Sequence, residues 1–298
     1  MRRKGNAVDG VLLLDKPAGV TSNGALQAAR RMLNAAKAGH TGTLDPMATG
    51  LLPLCFGEAT KFSGVLLAAT KTYLARIAFG ITTTTGDAEG NVLARSDVQG
   101  LDHARIVSVL ASLVGTHEQV PPMYSALKHE GRPLYEYARL GQEIDRAPRM
   151  VRVVSIDVLT VEAAHAEVRV EVSKGTYIRV LAEEAGQRLG CGAHLSALRR
   201  EAVAGFHVSE AISLDDLESL TLDARLTRLR PADALLQGVP RVDLDEWESR
   251  AVRQGRQVTV GGVPQGMVRL YSGADGFIGV GRVDEEGVLA PKRLVHEG

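Results

Sequence analysis

The stretch GHTGTLDPMATGLLPLC, Gly39 to Cys55, decides how the rest of the chain is read. It places one carboxylate, Asp45, in a short loop among Gly39, Gly42 and Gly50, with Pro46 directly behind it. Glycine permits tight backbone angles and close chain approach, while the proline ring fixes the backbone after Asp45 and biases Asp45 itself away from helix. The aspartate is held in place. An aspartate before proline is also ordinary turn chemistry, so this loop alone leaves both a turn residue and a working carboxylate open.

Upstream of the loop, GVLLLDKP (Gly10 to Pro17) reads as a strand followed by a turn. A helix then runs from an N-cap at Ser22, with Leu26, Ala29, Leu33 and Ala36 at helical spacing, to a stop at Gly39. Arg30, Arg31 and Lys37 lie between those apolar positions, on a face suited equally to phosphate and to water.

Downstream, Thr72 to Phe79 has strand character, and TTTTGDAEGN (Thr82 to Asn91) reads as a polar turn. Asp87 and Glu89 offer part of a calcium loop, but the other ligand positions of an EF-hand are missing, so no metal is expected. Asp102 opens a helix carrying Ile106, Val109, Leu110 and Leu113 on one face, closed by Gly115. Val120 to Pro148 breaks this regularity and reads as an insertion. Its Tyr124, Lys128, Arg132, Tyr135, Tyr137 and Arg139 are the groups used against phosphates and unstacked bases. A small helical hairpin packed by Leu134 and Tyr135 accounts for the same residues.

Val151 to Val161 and Glu167 to Val172 alternate as half-buried strands do. After Gly175, Ile178, Leu181, Ala185 and Leu189 recur at helical spacing, which puts Tyr177 and Arg179 where a strand hands over to a helix. Ser213 ahead of Asp216 caps a short helix, and Leu235 to Pro240 reads as a connector. Beyond it, MVRLY and FIGVGRV, with SGADG and DEEG turns, point to a compact antiparallel barrel.

Composition sets outer limits. The 298 residues suffice for one large domain or a large and a small one, and two are expected. Thirty-five basic residues balance 35 acidic ones, so any RNA-binding surface must come from local segregation of charge. Cys55 and Cys191 lack a CxxC framework and are expected as free thiols in a reducing compartment. No apolar run has the length of a membrane span, and no secretory h-region follows the first residues, so a cytoplasmic protein is expected. Arg2, Arg3 and Lys4 read either as a solvated terminus or as a short basic arm.

The loop and its flanks resemble tRNA pseudouridine synthases of the bacterial TruB type, whose H-x-G-x-L-D-P-x-A-x-G motif is matched in full by His40, Gly42, Leu44, Asp45, Pro46, Ala48 and Gly50. GVLLLDKPAGVTS, GEATKF, KTY, MYSALK, SKGTYIR and GCGAHLSALRR are similar to further blocks of that family, in matching order from Gly10 to Arg200. The resemblance implies an α+β pseudouridine synthase fold: a mixed, largely antiparallel central sheet flanked by helices and loops, with a small C-terminal β-barrel-like PUA domain. It implies a catalytic domain over 1–236, with a thumb-like RNA-binding insertion at about 120–150, and a PUA-like RNA-binding domain over 237–298.

It further implies isomerisation of uridine 55 in the T loop of tRNA by base flipping, with Asp45 as the catalytic carboxylate, Arg179 pairing with it, and Tyr73 against the flipped base as acceptor of the C5 proton. Tyr177 and Leu198 would wall the pocket and His40 would fill the vacated stack. Lys16 and Lys61 would touch phosphate or brace the loop. No cofactor, metal or protein partner is implied, and the chain is expected to act as a monomer on the T arm. A T-arm folding chaperone and a guide-RNA-dependent synthase subunit are the alternative readings.

Overall fold

The computed structural model describes residues 5–162, 164–273 and 276–296. Arg2, Arg3 and Lys4, and Ala274 and Asp275 of the SGADG turn, lie outside the described residues.

In chain order the strands are β1 (Gly10–Lys16), β2 (Ala38–His40), β3 (Thr49–Phe56), β4 (Lys71–Phe79), β5 (Ile81–Thr83), β6 (Val92–Arg95), β7 (Gly115–Gln119), β8 (Lys128–His129), β9 (Arg132–Pro133), β10 (Arg149–Glu162), β11 (His165–Val172), β12 (Ala193–Val203), β13 (Phe206–His207), β14 (Ile212–Ser213), β15 (Arg241–Leu244), β16 (Val258–Thr259), β17 (Gly266–Ser272), β18 (Gly276–Val283) and β19 (Val288–Leu294). The helices are α1 (Ser22–Met32), α2 (Gly64–Ala68), α3 (His103–Ala111), α4 (Leu134–Arg139), α5 (Ile178–Leu189), α6 (Leu214–Ser219), α7 (Leu222–Leu226) and α8 (Glu246–Arg253).

The main sheet runs β14-β1-β3-β12-β4-β11-β10-β7, with β2 on β3 and β13 on β12. Its pairs are antiparallel except β1 with β14 and β3 with β12. Both faces are covered, which is why β1 is an unbroken apolar run. Leu12 and Leu14 face one core with α1 and α5, while Val11 and Leu13 face a second core with Phe62, Phe206 and Leu236. This is a mixed α+β fold on a largely antiparallel central sheet, as expected.

Two strands build the site because of how they meet. β3 begins parallel to β12 at Arg199 and Arg200, and only glycine fits the crossing: Gly50 has φ +103°, and a Cβ there would lie 2.3 Å from the Arg200 carbonyl oxygen. In β12 the register shifts between Leu195 and Ala197 and again between Arg200 and Ala202. Such irregularities re-aim side chains, and they flank Leu198 and Arg200.

Some boundaries differ from the sequence reading. α1 is capped by Thr21, whose hydroxyl accepts from the Gly24 amide, because Ser22 is used elsewhere. The helix stops at Leu33, followed by Asn34 at φ +48°, and Gly39 lies inside β2. α3 starts after Asp102 as expected but ends at Ala111, and Gly115 opens β7. Arg30 donates to the Ala35 and Ala36 carbonyls at 3.0 Å each, so it closes the end of its own helix.

The strands between Arg241 and Leu294 form a curled five-stranded sheet, β15-β17-β18-β19-β16. It is not wholly antiparallel: α8 carries the chain back across, so β15 pairs parallel with β17. Cys55 and Cys191 are free and buried. No helix among the described residues is long and apolar enough to cross a membrane.

Candidate active site

Asp45 lies between two pinned neighbours. The Ser22 hydroxyl donates to the Leu44 carbonyl at 3.0 Å and accepts from its amide at 2.8 Å. On the other side the Pro46 carbonyl accepts from the Gly19 amide at 2.9 Å and from Lys16 Nζ at 3.2 Å. Lys16 also donates to Pro17 and Val20, at 2.8 and 2.6 Å, and is wholly buried. Of the two roles expected for Lys16 this is bracing; the ammonium does not reach the surface. Burial lowers its pKa to about 8.

Arg179, the second residue of α5 and 3% exposed, gathers four partners. Its Nε stands 3.0 Å from Asp45 Oδ2, a charge contact in which the N–H is not aligned on the oxygen. Nη1 donates to the Thr85 carbonyl at 2.9 Å and lies 3.5 Å from Asp87 Oδ2, and Nη2 donates to the Tyr124 carbonyl at 2.8 Å. The turn expected to be plain therefore delivers a buried acid, Asp87, to Arg179. Turn composition gave no warning, since nothing in TTTTGDAEGN distinguishes a solvated aspartate from a paired one.

The Asp45 side chain keeps a third of its surface open to a cleft. Burial raises its carboxyl pKa above the usual value, Arg179 opposes that rise, and Asp87 adds to it. Glu183, facing the same arginine, is likewise raised, mainly by burial.

The cleft has two lobes that share His40, Thr43, Leu44, Asp45, Ser125, Ala126 and Arg179. The smaller, of 560 Å³, is walled by Tyr73, Tyr177, Leu198, Lys71 and Arg200. The larger, of 820 Å³, is bounded by the insertion through Tyr124, Lys128, Tyr135 and Arg139. In the insertion Leu134 and Tyr137 are the buried packing residues, while the Arg139 guanidinium sits 5.3 Å from the centre of the Tyr135 ring.

Four of the five buried side-chain atoms without a hydrogen-bond partner among the described residues, His40 Nδ1, Ser125 Oγ, Arg179 Nε and Arg200 Nη2, belong to residues lining the smaller lobe. Arg179 Nε has the Asp45 carboxylate 3.0 Å away, and the remaining atoms are open to a polar ligand in the lobe, since buried polar groups are rarely left unpaired. Burial lowers the His40 pKa, with Arg200 adding to the effect, which favours a neutral imidazole.

Tyr177 is held by its backbone. Gln119, 4% exposed at the end of β7, accepts from the Tyr177 amide at 2.7 Å and donates to its carbonyl at 3.2 Å. No sequence signal identified Gln119; an amide at a strand end is anonymous until its partner is known. Burial raises the Tyr177 phenol pKa.

Lys61 lies apart from the cleft. Its ammonium pairs with Glu58 and donates to the Leu294 carbonyl at 2.8 Å, so it ties the start of the chain's second core to the last strand and lines neither lobe. The structure brings together Asp45, Arg179, Tyr73, Tyr177, Leu198 and His40, puts Lys16 behind the loop, and leaves Lys61 outside.

Comparison with known proteins agrees with this architecture. A chain of a Cbf5–Nop10–Gar1 complex superposes with a TM-score of 0.70 at 27% identity, covering 97% of this chain and 84% of that one. An H/ACA RNP structure bound to a substrate RNA containing 2′-deoxyuridine gives 0.71 at 25% identity, covering 97% and 85%. Fold and site define a pseudouridine synthase, an isomerase.

The family model described as TruB family pseudouridylate synthase (N terminal domain) matches residues 30–178, a tRNA pseudouridylate synthase B C-terminal domain matches 179–237, and a TruB C-terminal model matches 240–295. The chain belongs to the TruB family. It is 54% identical over 294 residues to the tRNA pseudouridine synthase B of Aromatoleum aromaticum, covering 99% of this chain and 95% of that one, and 53% identical over 295 residues to that of Thiobacillus denitrificans, covering 99% and 98%.

Proposed function

We propose that the protein converts uridine 55 in the T loop of tRNA to pseudouridine, acting in the cytoplasm as a monomer with no protein partner or cofactor. The observation that carries this reading is the Asp45 carboxylate against Arg179 at the floor of a lobe walled by two phenols and Leu198. The relatives' name, tRNA pseudouridine synthase B, supports the substrate.

In the reaction the N1–C1′ bond breaks with its electron pair left on N1, the freed uracil turns and a C5–C1′ bond forms. The C5 proton is lost to a base or to water and N1 takes up a proton, so that the product is an isomer of the starting nucleotide. A uridine stacked in an RNA arm cannot reach a recessed carboxylate, so it is flipped out at a cost of a few kcal/mol, offset by contacts in the lobe. Asp45 acts ionised, either by adding to the sugar or the ring or by removing a sugar proton. Arg179 supports the charged form and sets its direction. Tyr73 lies against the base and takes the C5 proton, directly or through a water. Tyr177 and Leu198 hold the ring, and His40 occupies the place the base leaves. The insertion at about 120–150 closes on the RNA, and the chain divides near residue 237 into a catalytic part and a PUA-like part that contacts RNA.

The test is tritium release from a T-arm stem-loop labelled at uridine C5, incubated with the purified chain. Release by wild type and none by Asp45→Asn is expected. A chain that reshapes the RNA without release would be a chaperone only. Because one solved neighbour is a Cbf5–Nop10–Gar1 complex and another an H/ACA RNP, activity on the bare stem-loop also separates this reading from dependence on a guide RNA.

A further inference from the structure

Arg200 is 1% exposed, yet its guanidinium makes one hydrogen bond, from Nε to the Leu51 carbonyl at 2.7 Å. Nη2 is buried without a partner, and Nη1, which lies 3.8 Å from where a Gly42 Cβ would stand, donates to no group among the described residues. Among the described residues no acid pairs with it. Arg179, by contrast, meets two carboxylates. An uncompensated buried cation is costly unless something neutralises it, and Arg200 forms part of the wall of the 560 Å³ lobe.

The surroundings add to the positive field. Lys71, 8% exposed on the neighbouring strand, lines the same lobe, and its ammonium is fixed by the Leu66, Leu67 and Ala69 carbonyls at 3.0, 3.0 and 2.6 Å. Lys16, Lys71 and His40 all feel the Arg200 charge, which disfavours their own charged forms. A neutral base carbonyl would accept hydrogen bonds here but leave the charge standing. A phosphodiester does both, since its two unbridged oxygens match the two terminal nitrogens of a guanidinium and its negative charge cancels the field.

We propose that Arg200, backed by Lys71, is the phosphodiester-holding group of the cavity and grips the backbone phosphate adjoining the nucleotide whose base lies over Asp45. This rests on the reading that an RNA nucleotide enters the lobe. It assigns the two arginines of the lobe distinct tasks: Arg179 serves Asp45 at the glycosidic bond, and Arg200 fixes the strand that carries it.

The test uses the full chain and T-arm stem-loops bearing one uncharged methylphosphonate linkage, either 5′ or 3′ of the target uridine. One of the two should weaken wild-type binding roughly tenfold, the size of one charge-assisted hydrogen bond, and leave the affinity of Arg200→Met unchanged. If neither linkage matters to wild type, or if the variant loses as much, the proposal is overturned. Should Arg200→Met fail to fold, wild type labelled with 15N-arginine decides: the Arg200 Nη signals must shift with the natural stem-loop and stay put with the methylphosphonate one. If no pseudouridine forms from the natural stem-loop, the functional reading fails separately. Inorganic phosphate then serves as the probe, a shift of those signals keeping the anion site and no shift removing it.

Discussion

The Nε of Arg179 stands 3.0 Å from Oδ2 of Asp45, while the same guanidinium reaches Asp87 on its other side. One cation thus serves two acids of unequal access: Asp45 keeps a third of its side chain open to the cleft, and Asp87 is sealed at 4%. The open acid is free for chemistry and the sealed one anchors the arginine.

Replacing Asp45 by asparagine should abolish turnover by about 10³-fold or more, the scale of a lost acid–base or nucleophilic group, and should leave folding intact. The sign follows from burial. The folded-state pKa of Asp45 is raised, so the stabilisation it provides is that of the neutral acid, complete below the unfolded pKa and lost as pH rises through the folded one. At neutral pH the ionised side chain is a net cost. Thermal melting at pH 7 should show Asp45→Asn at or above the wild-type Tm; a lower Tm would mean that the Arg179 contact outweighs desolvation.

The acid limb of kcat/KM should fall at a pH above the ordinary aspartate range, because the role proposed for Asp45 needs the ionised carboxylate. Asp87→Asn removes one of the charges that raise that pKa, so its acid limb should move to lower pH. Maximal activity should drop as well, since Arg179 loses its sealed anchor. An unmoved limb in the pH profile would dissociate Asp87 from Asp45.

Gln119→Leu should raise KM while changing kcat less, because it frees the backbone that fixes Tyr177 without touching Asp45. The two buried hydrogen bonds lost should cost about 1–3 kcal/mol, read by urea denaturation. A kcat loss with KM unchanged would place Gln119's influence elsewhere.

Stability should rise with pH across roughly pH 8 to 10.5. Burial lowers the folded-state pKa of both Lys16 and Lys71 to about 8 from 10.5, so in that window the unfolded chain binds more protons than the folded one. The contribution is present above the unfolded pKa and lost as pH falls through about 8. Denaturation midpoints at pH 7.5 and 10 measure the gain, and the double variant Lys16→Met with Lys71→Met should flatten it.

Much of the fold was legible because its strands and helices obey strict periods. β1, β4, α3 and α5 fall where apolar spacing places them. The Asp45 loop was legible through its motif, and the Arg179 pairing through resemblance. What escaped were residues whose meaning lies in a distant partner. Ser22 reads locally as a helix cap, but it is spent on Leu44, 22 residues away, and Thr21 takes over the cap. Asp87 reads as a turn acid until α5 brings Arg179 beside it. Lys61 sits in a family-like block, yet the glutamate three residues earlier and the last strand claim its charge. Arg200 escaped for the opposite reason: beside Arg199, which forms a two-point ion pair with Asp15, nothing marks one of two adjacent arginines as the unpaired one.

The link from Lys61 to Leu294 is reinforced by Phe62, whose ring meets that of Phe277 edge-on at 5.4 Å, and by Val280, which shares one core with Leu13, Leu51 and Phe206. The terminal sheet is therefore no detachable accessory. Trimming the chain at the connector would bare an aromatic face on the half that holds Asp45, and heat should melt both halves in one cooperative step.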